Sequence, residues 1–211
     1  MWTDLLLQAA LILLTLFMFL LMHNIPHKFF SKLRLRNRAD IQAKRHFIQG
    51  AQLLAQAKAA KDRSTTTKLA KSAESEADAA IAMDPKDAAA HILKALALEV
   101  LGFKTSALDA IDAALSPTVA KSLSDPERAD ALFKRAELRL AASRRGRVDS
   151  AVEDLVESVR LKGDNAKAFC LLGDCYKRKG LKNEAQEAYE DALKAQPNYT
   201  VAREALNRLG S

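Results

Sequence analysis

Phe169, Leu172 and Tyr176 stand at spacings of three and four, which puts them on one face of a helix with the small Gly173 beside them. Gly180 interrupts that face. A second one follows in Ala185, Ala188, Tyr189, Ala192 and Leu193, and Gln196 and Pro197 close it. Residues 166–199 therefore predict two short amphipathic helices joined by a tight turn. One such hairpin cannot bury both of its apolar faces, so copies of it must lie upstream.

They do. Ala185 and Ala192 step back by 34 to Ala151 and Ser158, by 44 to Ala107 and Ala114, and by 34 again to Ala73 and Ala80; Gly180, Gly146 and Gly102 keep the same spacings. The extra residues fall between helices, two around residues 143–145 and eight around residues 118–125, where a repeat array tolerates them. The 34-residue period and the residue order Phe169, Leu172, Gly173, Tyr176, Ala185, Tyr189, Ala192, Pro197 resemble the tetratricopeptide repeat, a helix-turn-helix unit. The resemblance implies an all-α superhelix of about four helical hairpins plus a C-terminal capping helix.

The remaining elements follow from the same pattern. A helix is expected over residues 39–61, a polar loop over 62–67, and a helix over 68–83 stopped by Asp84-Pro85. The second unit covers residues 88–117. The third starts at Asp125-Pro126, with proline in the first turn, and uses Phe133, Ala136, Leu140, Gly146, Ala151 and Leu155. In the first unit the register is displaced, because the place of the first-helix glycine falls on Lys61. Gly173 is expected to face Ala185 and Ala192. A short helix over residues 200–209 would cover the last repeat with Val201, Ala205, Leu206 and Leu209.

The start of the chain has a different character. Residues 5–22 carry no charge, and a helix of that length reaches about 27 Å, enough to span a thin bilayer. A cleaved signal peptide is the rival reading. It is disfavoured because only Asp4 precedes the run and no small-x-small site follows it. The expected division is a transmembrane anchor over residues 1–25, a basic juxtamembrane segment over 26–38 and a repeat domain over 39–211. The formal net charge of +7 is concentrated here: Lys28, Lys32, Arg34, Arg36, Arg38, Lys44 and Arg45 face Asp40 alone, whereas from Phe47 onward 26 Lys and Arg face 24 Asp and Glu. By the positive-inside rule the repeats lie in the cytosol and the short N-terminus is lumenal or intermembrane, in the endoplasmic reticulum or an organelle outer membrane. With Phe29, Phe30, Leu33 and Leu35 interleaved, the basic flank could also rest on anionic lipid headgroups. Nucleic acid is not expected as a partner, since no recognition module accompanies these cations.

Candidate chemistry is sparse, and neither enzymatic activity nor a cofactor or metal is expected. Cys170 and Cys175 lie five apart on one helix, about 140° apart around its axis, which excludes a bond between them within the helix. His91 stands at a packing place of the repeat without an accompanying carboxylate or cysteine cluster. Neither HExxH, GxSxG nor GxxxxGK[ST] occurs.

The resemblance implies instead a concave groove, lined by the first helix of each hairpin, that binds protein or peptide. Its places fall on Ala89, Ile92, Leu96 and Glu99, on Ala131, Lys134 and Leu138, and on Lys167, Cys170, Asp174 and Lys177. Ile92 and Leu96 occupy positions where the family's carboxylate clamp needs Lys and Asn, which argues against docking of chaperone C-terminal tails. The long first helix or the insertion at residues 118–125 could cover the groove instead. Two functions compete: a membrane-anchored interaction adaptor or receptor, and a membrane-surface organising protein acting through its basic segment and self-association.

Overall fold

The computed structural model describes Trp2, Leu6, Gln8, Ile12 and residues 25–142 and 147–210. It divides into two compact units, Met1–Gln42 and Ala43–Ser211. The expected turn at residues 143–145, with Gly146, lies outside the described residues. So does the apolar run at residues 5–22, apart from Leu6, Gln8 and Ile12; among the described residues no helix is long and apolar enough to cross a membrane.

The described elements are helical throughout. In chain order they are α1 (Ile25–Ala59), α2 (Arg63–Met83), α3 (Ala88–Leu101), α4 (Lys104–Ala114), a 3-10 turn (Ala120–Ser122), α5 (Asp125–Ala141), α6 (Arg147–Leu161), α7 (Ala166–Arg178), α8 (Lys182–Ala195) and α9 (Thr200–Gly210). From Ala43 onward these form four antiparallel hairpins, α1/α2, α3/α4, α5/α6 and α7/α8, closed by α9. The basic residues Lys28, Lys32, Arg34, Arg36 and Arg38 belong to α1, which begins well before residue 39.

Local chemistry explains the boundaries. Gly102 (φ 87°) and Gly180 (φ 78°) adopt the left-handed conformation that ends α3 and turns the chain after α7. At the start of α5 the Ser124 amide and hydroxyl donate to Glu127 Oε2 at 2.9 and 2.6 Å, ahead of Pro126 in the first turn. Of the expected loop at 62–67, residues 63–67 are helix instead. Asp62 caps α2 by accepting from the Thr65 amide and hydroxyl, both at 2.8 Å, and the Thr66 and Thr67 hydroxyls return to the carbonyls of Asp62 and Arg63. A run of hydroxyl residues reads as a turn by composition, yet the Thr66 and Thr67 hydroxyls find backbone carbonyls one turn back and that of Thr65 finds the capping carboxylate.

Packing is dominated by alanine, which supplies 24 of the 36 buried apolar residues among those described. Its small side chain lets helix axes approach closely and leaves little space between hairpins. Successive cores are shared: Leu54, Ala73, Ala77 and Leu93 join α1, α2 and α3; Ala95, Ile111 and Leu138 join α3, α4 and α5; Ala136, Leu155, Leu172 and Ala188 join α5 to α8; Tyr189, Ala192, Ala202 and Ala205 join α8 and α9. On α9 the covering side is Ala202, Ala205, Leu206 and Leu209; Val201, expected there, is exposed because it lies one residue around the helix from Ala202.

Two glycines mark close approaches. A Cβ on Gly173 would lie 2.6 Å from Cε1 of Tyr189, so the tyrosine ring is what Gly173 admits, in place of the expected Ala185 and Ala192. Gly50 of α1 has the same role: its Cβ would meet Leu93 at 2.9 Å and Glu76 at 3.1 Å. Gly50 to Ala73 spans 23 residues, against 12 from Gly173 to Ala185. The first hairpin is therefore longer by 11 residues, four in α1 and seven in α2, about one and two helical turns. Its packing faces stay in phase, which accounts for the displaced register of the first unit.

One buried charge ties three helices together. Asp154 of α6 is 3% exposed and accepts from Arg135 Nε at 2.9 Å and Arg139 Nη1 at 2.7 Å, both on α5. Arg135 Nη1 also reaches Asp112 of α4 at 3.1 Å, and Arg139 Nη1 donates to the Ser150 carbonyl at 2.9 Å. Ser158, also buried, donates from its hydroxyl to the Ala129 carbonyl at 2.8 Å. Removing one partner of such a network leaves the others desolvated and unmatched. Asp154→Ala is expected to destabilise the chain by about 3 to 5 kcal/mol in denaturant unfolding; an effect below about 1 kcal/mol would show that water replaces the carboxylate.

Candidate functional site

The first helix of each hairpin contributes to one open groove of about 930 Å³. Phe47, Ala51 and Leu54 of α1 face Ile92, Leu93 and Leu96 of α3 across its apolar floor, and Leu123 from the segment before α5 adds to it. Further along, Ala131 and Lys134 of α5 and Ala166 and Lys167 of α7 continue the lining, with Lys58, Glu127, Asp130, Lys162 and Asp164 among the polar positions. The floor is half-buried rather than closed: Phe47, Ala51, Ile92 and Leu96 all retain access to solvent. Capping fixes the two ends. Asn165 accepts from the Ala168 amide at 3.2 Å to start α7, and Asp87 accepts from the Ala89 amide at 3.0 Å to start α3.

Electrostatics at the groove are mostly settled within the molecule. Lys134 sits 2.6 Å from Glu137 and 3.3 Å from Glu99. Burial opposes its charge, but the hydrogen bond and charge of Glu137, with Glu99 behind, outweigh it and hold the ammonium above the ordinary lysine pKa. Lys162 is paired with Asp130 at 3.0 Å. Among the described residues Lys58 and Lys167 have no such partner.

Of the positions expected from the repeat pattern, Ala89, Ile92, Leu96, Ala131, Lys134 and Lys167 come together on this groove. Glu99 stands beside it as a partner of Lys134. Leu138 is not on it: at 2% exposure it belongs to the core of α3, α4 and α5, one turn beyond Lys134 where α5 leans on the second hairpin. Asp174 accepts a hydrogen bond from the Tyr189 hydroxyl at 2.8 Å. Burial, then that bond, raises the phenol pKa. Lys177 is exposed in the last turn of α7, away from the lining residues, and Cys170 is buried under α8 and α9. The α1 contribution escaped the repeat count because the longer first hairpin displaced it; the spacing Phe47, Ala51, Leu54, Lys58, at four, three and four, is the signal that could have found it.

Other reactive groups have structural partners. His91 Nε2 donates to the Pro85 carbonyl at 3.1 Å, tying α3 to the turn before it. Among the described residues, His, Cys, Asp and Glu form no group of three or more that could hold a metal ion. Cys170 and Cys175 are free and buried, and burial pushes both thiols up to about 11.

Comparison with known proteins agrees with this geometry. Models of the tetratricopeptide repeat match residues 166–199 and residues 70–122. A probable UDP-N-acetylglucosamine–peptide N-acetylglucosaminyltransferase SPINDLY of Solanum lycopersicum is 45% identical over 56 residues, which is 26% of this chain and only 6% of that protein. Among solved structures, MamA from residue 41 onward, of Desulfovibrio magneticus RS-1, superposes with a TM-score of 0.63 at 18% identity, over 80% of this chain and 83% of that one. PilF of Pseudomonas aeruginosa also gives 0.63 at 18% identity, over 81% and 68%. At those identities the likeness is one of fold.

The thiols yield a test of the packing. With both thiols buried and pushed up to about 11 by that burial, a thiol reagent at pH 8 should modify neither cysteine in the folded chain and both after denaturation. Rapid modification of Cys170 under native conditions would place α9 off the α7/α8 hairpin.

Proposed function

Because this chain belongs to the tetratricopeptide-repeat family, we propose that it is a protein-interaction scaffold whose groove captures a segment of a partner protein, held at a membrane by its apolar N-terminal run. The repeat fold is generally a non-catalytic interaction scaffold, and the observation that carries the reading is the open apolar floor made by Phe47, Ala51, Ile92 and Leu96. An apolar surface left accessible across successive hairpins fits an amphipathic helix or extended peptide laid along it. Because Lys134 and Lys162 are already paired, salt-sensitive steering rests on Lys58 and Lys167, with Glu127 and Asp164 on the same rim limiting it. Specificity is therefore set chiefly by apolar shape.

Two observations support the membrane part: residues 5–22 carry no charge, with a basic flank after them, and Trp2, Leu6 and Ile12 are exposed. In this reading the repeats face the cytosol and the chain works as an adaptor or receptor.

The groove is tested with peptides selected from a random library against the full chain in detergent. Ala55 lines the groove but is exposed, so Ala55→Trp should block peptide binding without touching the core. Leu96→Glu should weaken it at least tenfold, about 1.4 kcal/mol, with helical circular dichroism unchanged. Normal binding by both folded variants would move the site elsewhere. For the topology, protease added to intact organelles should digest the repeats, and their protection until detergent is added would reverse the orientation.

A further inference from the structure

The lengthened first hairpin carries a charge pattern that its packing does not use and that, apart from Lys58, the groove does not use. Between residues 58 and 71 stand Lys58, Lys61, Arg63, Lys68 and Lys71 against the single acid Asp62. The rest of the chain from Phe47 onward holds 21 Lys and Arg against 23 Asp and Glu, so the tip carries an excess of cations in a domain that is otherwise slightly acidic. All five cations are exposed, and residues 61–65 are exposed without interruption. Asp62 is occupied by the Thr65 amide and hydroxyl, and among the described residues none of the five cations has an acidic partner. The extra turns of α1 and α2 carry this tip about 6 to 10 Å further along the hairpin than the α7/α8 turn extends.

We infer that this hairpin tip is a docking surface for anionic lipid headgroups, separate from the peptide groove. Like charges gathered at one end of a hairpin repel one another, and an external anion relieves that repulsion. The form of the surface selects the partner. It is the free end of two helices, where Lys61, Arg63, Lys68 and Lys71 line no part of the groove, and no aromatic residue on which a base could stack lies between positions 58 and 71. Five flexible side chains at irregular spacing match headgroups that diffuse laterally to meet them, each cation near such a surface contributing about a fivefold gain in partitioning. Small neighbours, Ala59, Ala60 and Ser64, leave the ammonium groups unobstructed.

The full chain reconstituted into bilayer discs tests this. A fluorophore is placed at Thr66→Cys, where it is selective because Cys170 and Cys175 are buried and protonated at pH 7.5, and its quenching by a headgroup-attached quencher is read. Quenching should be strong in phosphatidylcholine–phosphatidylserine discs, weak in pure phosphatidylcholine, and reversed by high salt. The combined variant Lys61→Gln, Arg63→Gln, Lys68→Gln and Lys71→Gln, which spares Lys58 because it lines the groove, should reduce quenching to the phosphatidylcholine level while leaving peptide binding to the groove intact. Equal quenching in both lipids, or an unchanged signal in the combined variant, overturns the inference. Retention of a single-stranded RNA by the wild-type tip but not by the variant, without lipid-dependent quenching, overturns it in favour of nucleic acid.

Discussion

A hairpin of alanine-rich helices depends on contact with its neighbours. Alanine buries few apolar atoms, so the stabilisation of any one helix pair by burial is small, and it accumulates only because each helix shares a core with the next hairpin as well as with its own partner. Leu93, Ile111, Leu155 and Tyr189 are the larger side chains placed in successive layers, and the alanines around them set how close the axes come. The groove is a by-product of this constraint. When every first helix must touch two neighbours on one side, its other side is left facing a common concavity.

The charged network of α5 and α6 adds a different kind of constraint. A carboxylate at 3% exposure with two guanidiniums on it contributes geometry more than net stability, since the cost of desolvating the charges offsets much of their attraction. Its effect is registration. Arg135 reaches Asp112 on the second hairpin and Asp154 on the third, so one side chain fixes how far α5 slides relative to both α4 and α6.

The periodicity of the sequence located the hairpins from residue 88 onward, because the repeat spacing of Ala107, Ala151 and Ala185 and the turn glycines are local signals that survive without knowledge of the fold. It brought Ala89, Ile92, Leu96, Ala131, Lys134 and Lys167 to one face for the same reason. Ile92 and Leu96 could be placed by counting, whereas Phe47, Ala51 and Leu54 could not, because an 11-residue extension lay between them and Ala73. Leu138 shows the other limit: position within a repeat does not reveal which neighbour a helix leans on. Lys134 could be placed at the groove by counting, but only its distances to Glu137 and Glu99 show that its charge is engaged. Gly173 was recognised as a close approach, but the tyrosine ring that fills it lies 16 positions away on the next helix.

The extension of the first hairpin shows what kind of length change such an array tolerates. A helical hairpin can change length while keeping its faces aligned only if the residues added to each arm come in near-whole turns, here about one in α1 and two in α2. Length changes in either arm are thus quantised in units of three to four residues. The tip is an arm whose reach is set in whole helical turns, while the residues that line the groove keep their faces beneath it.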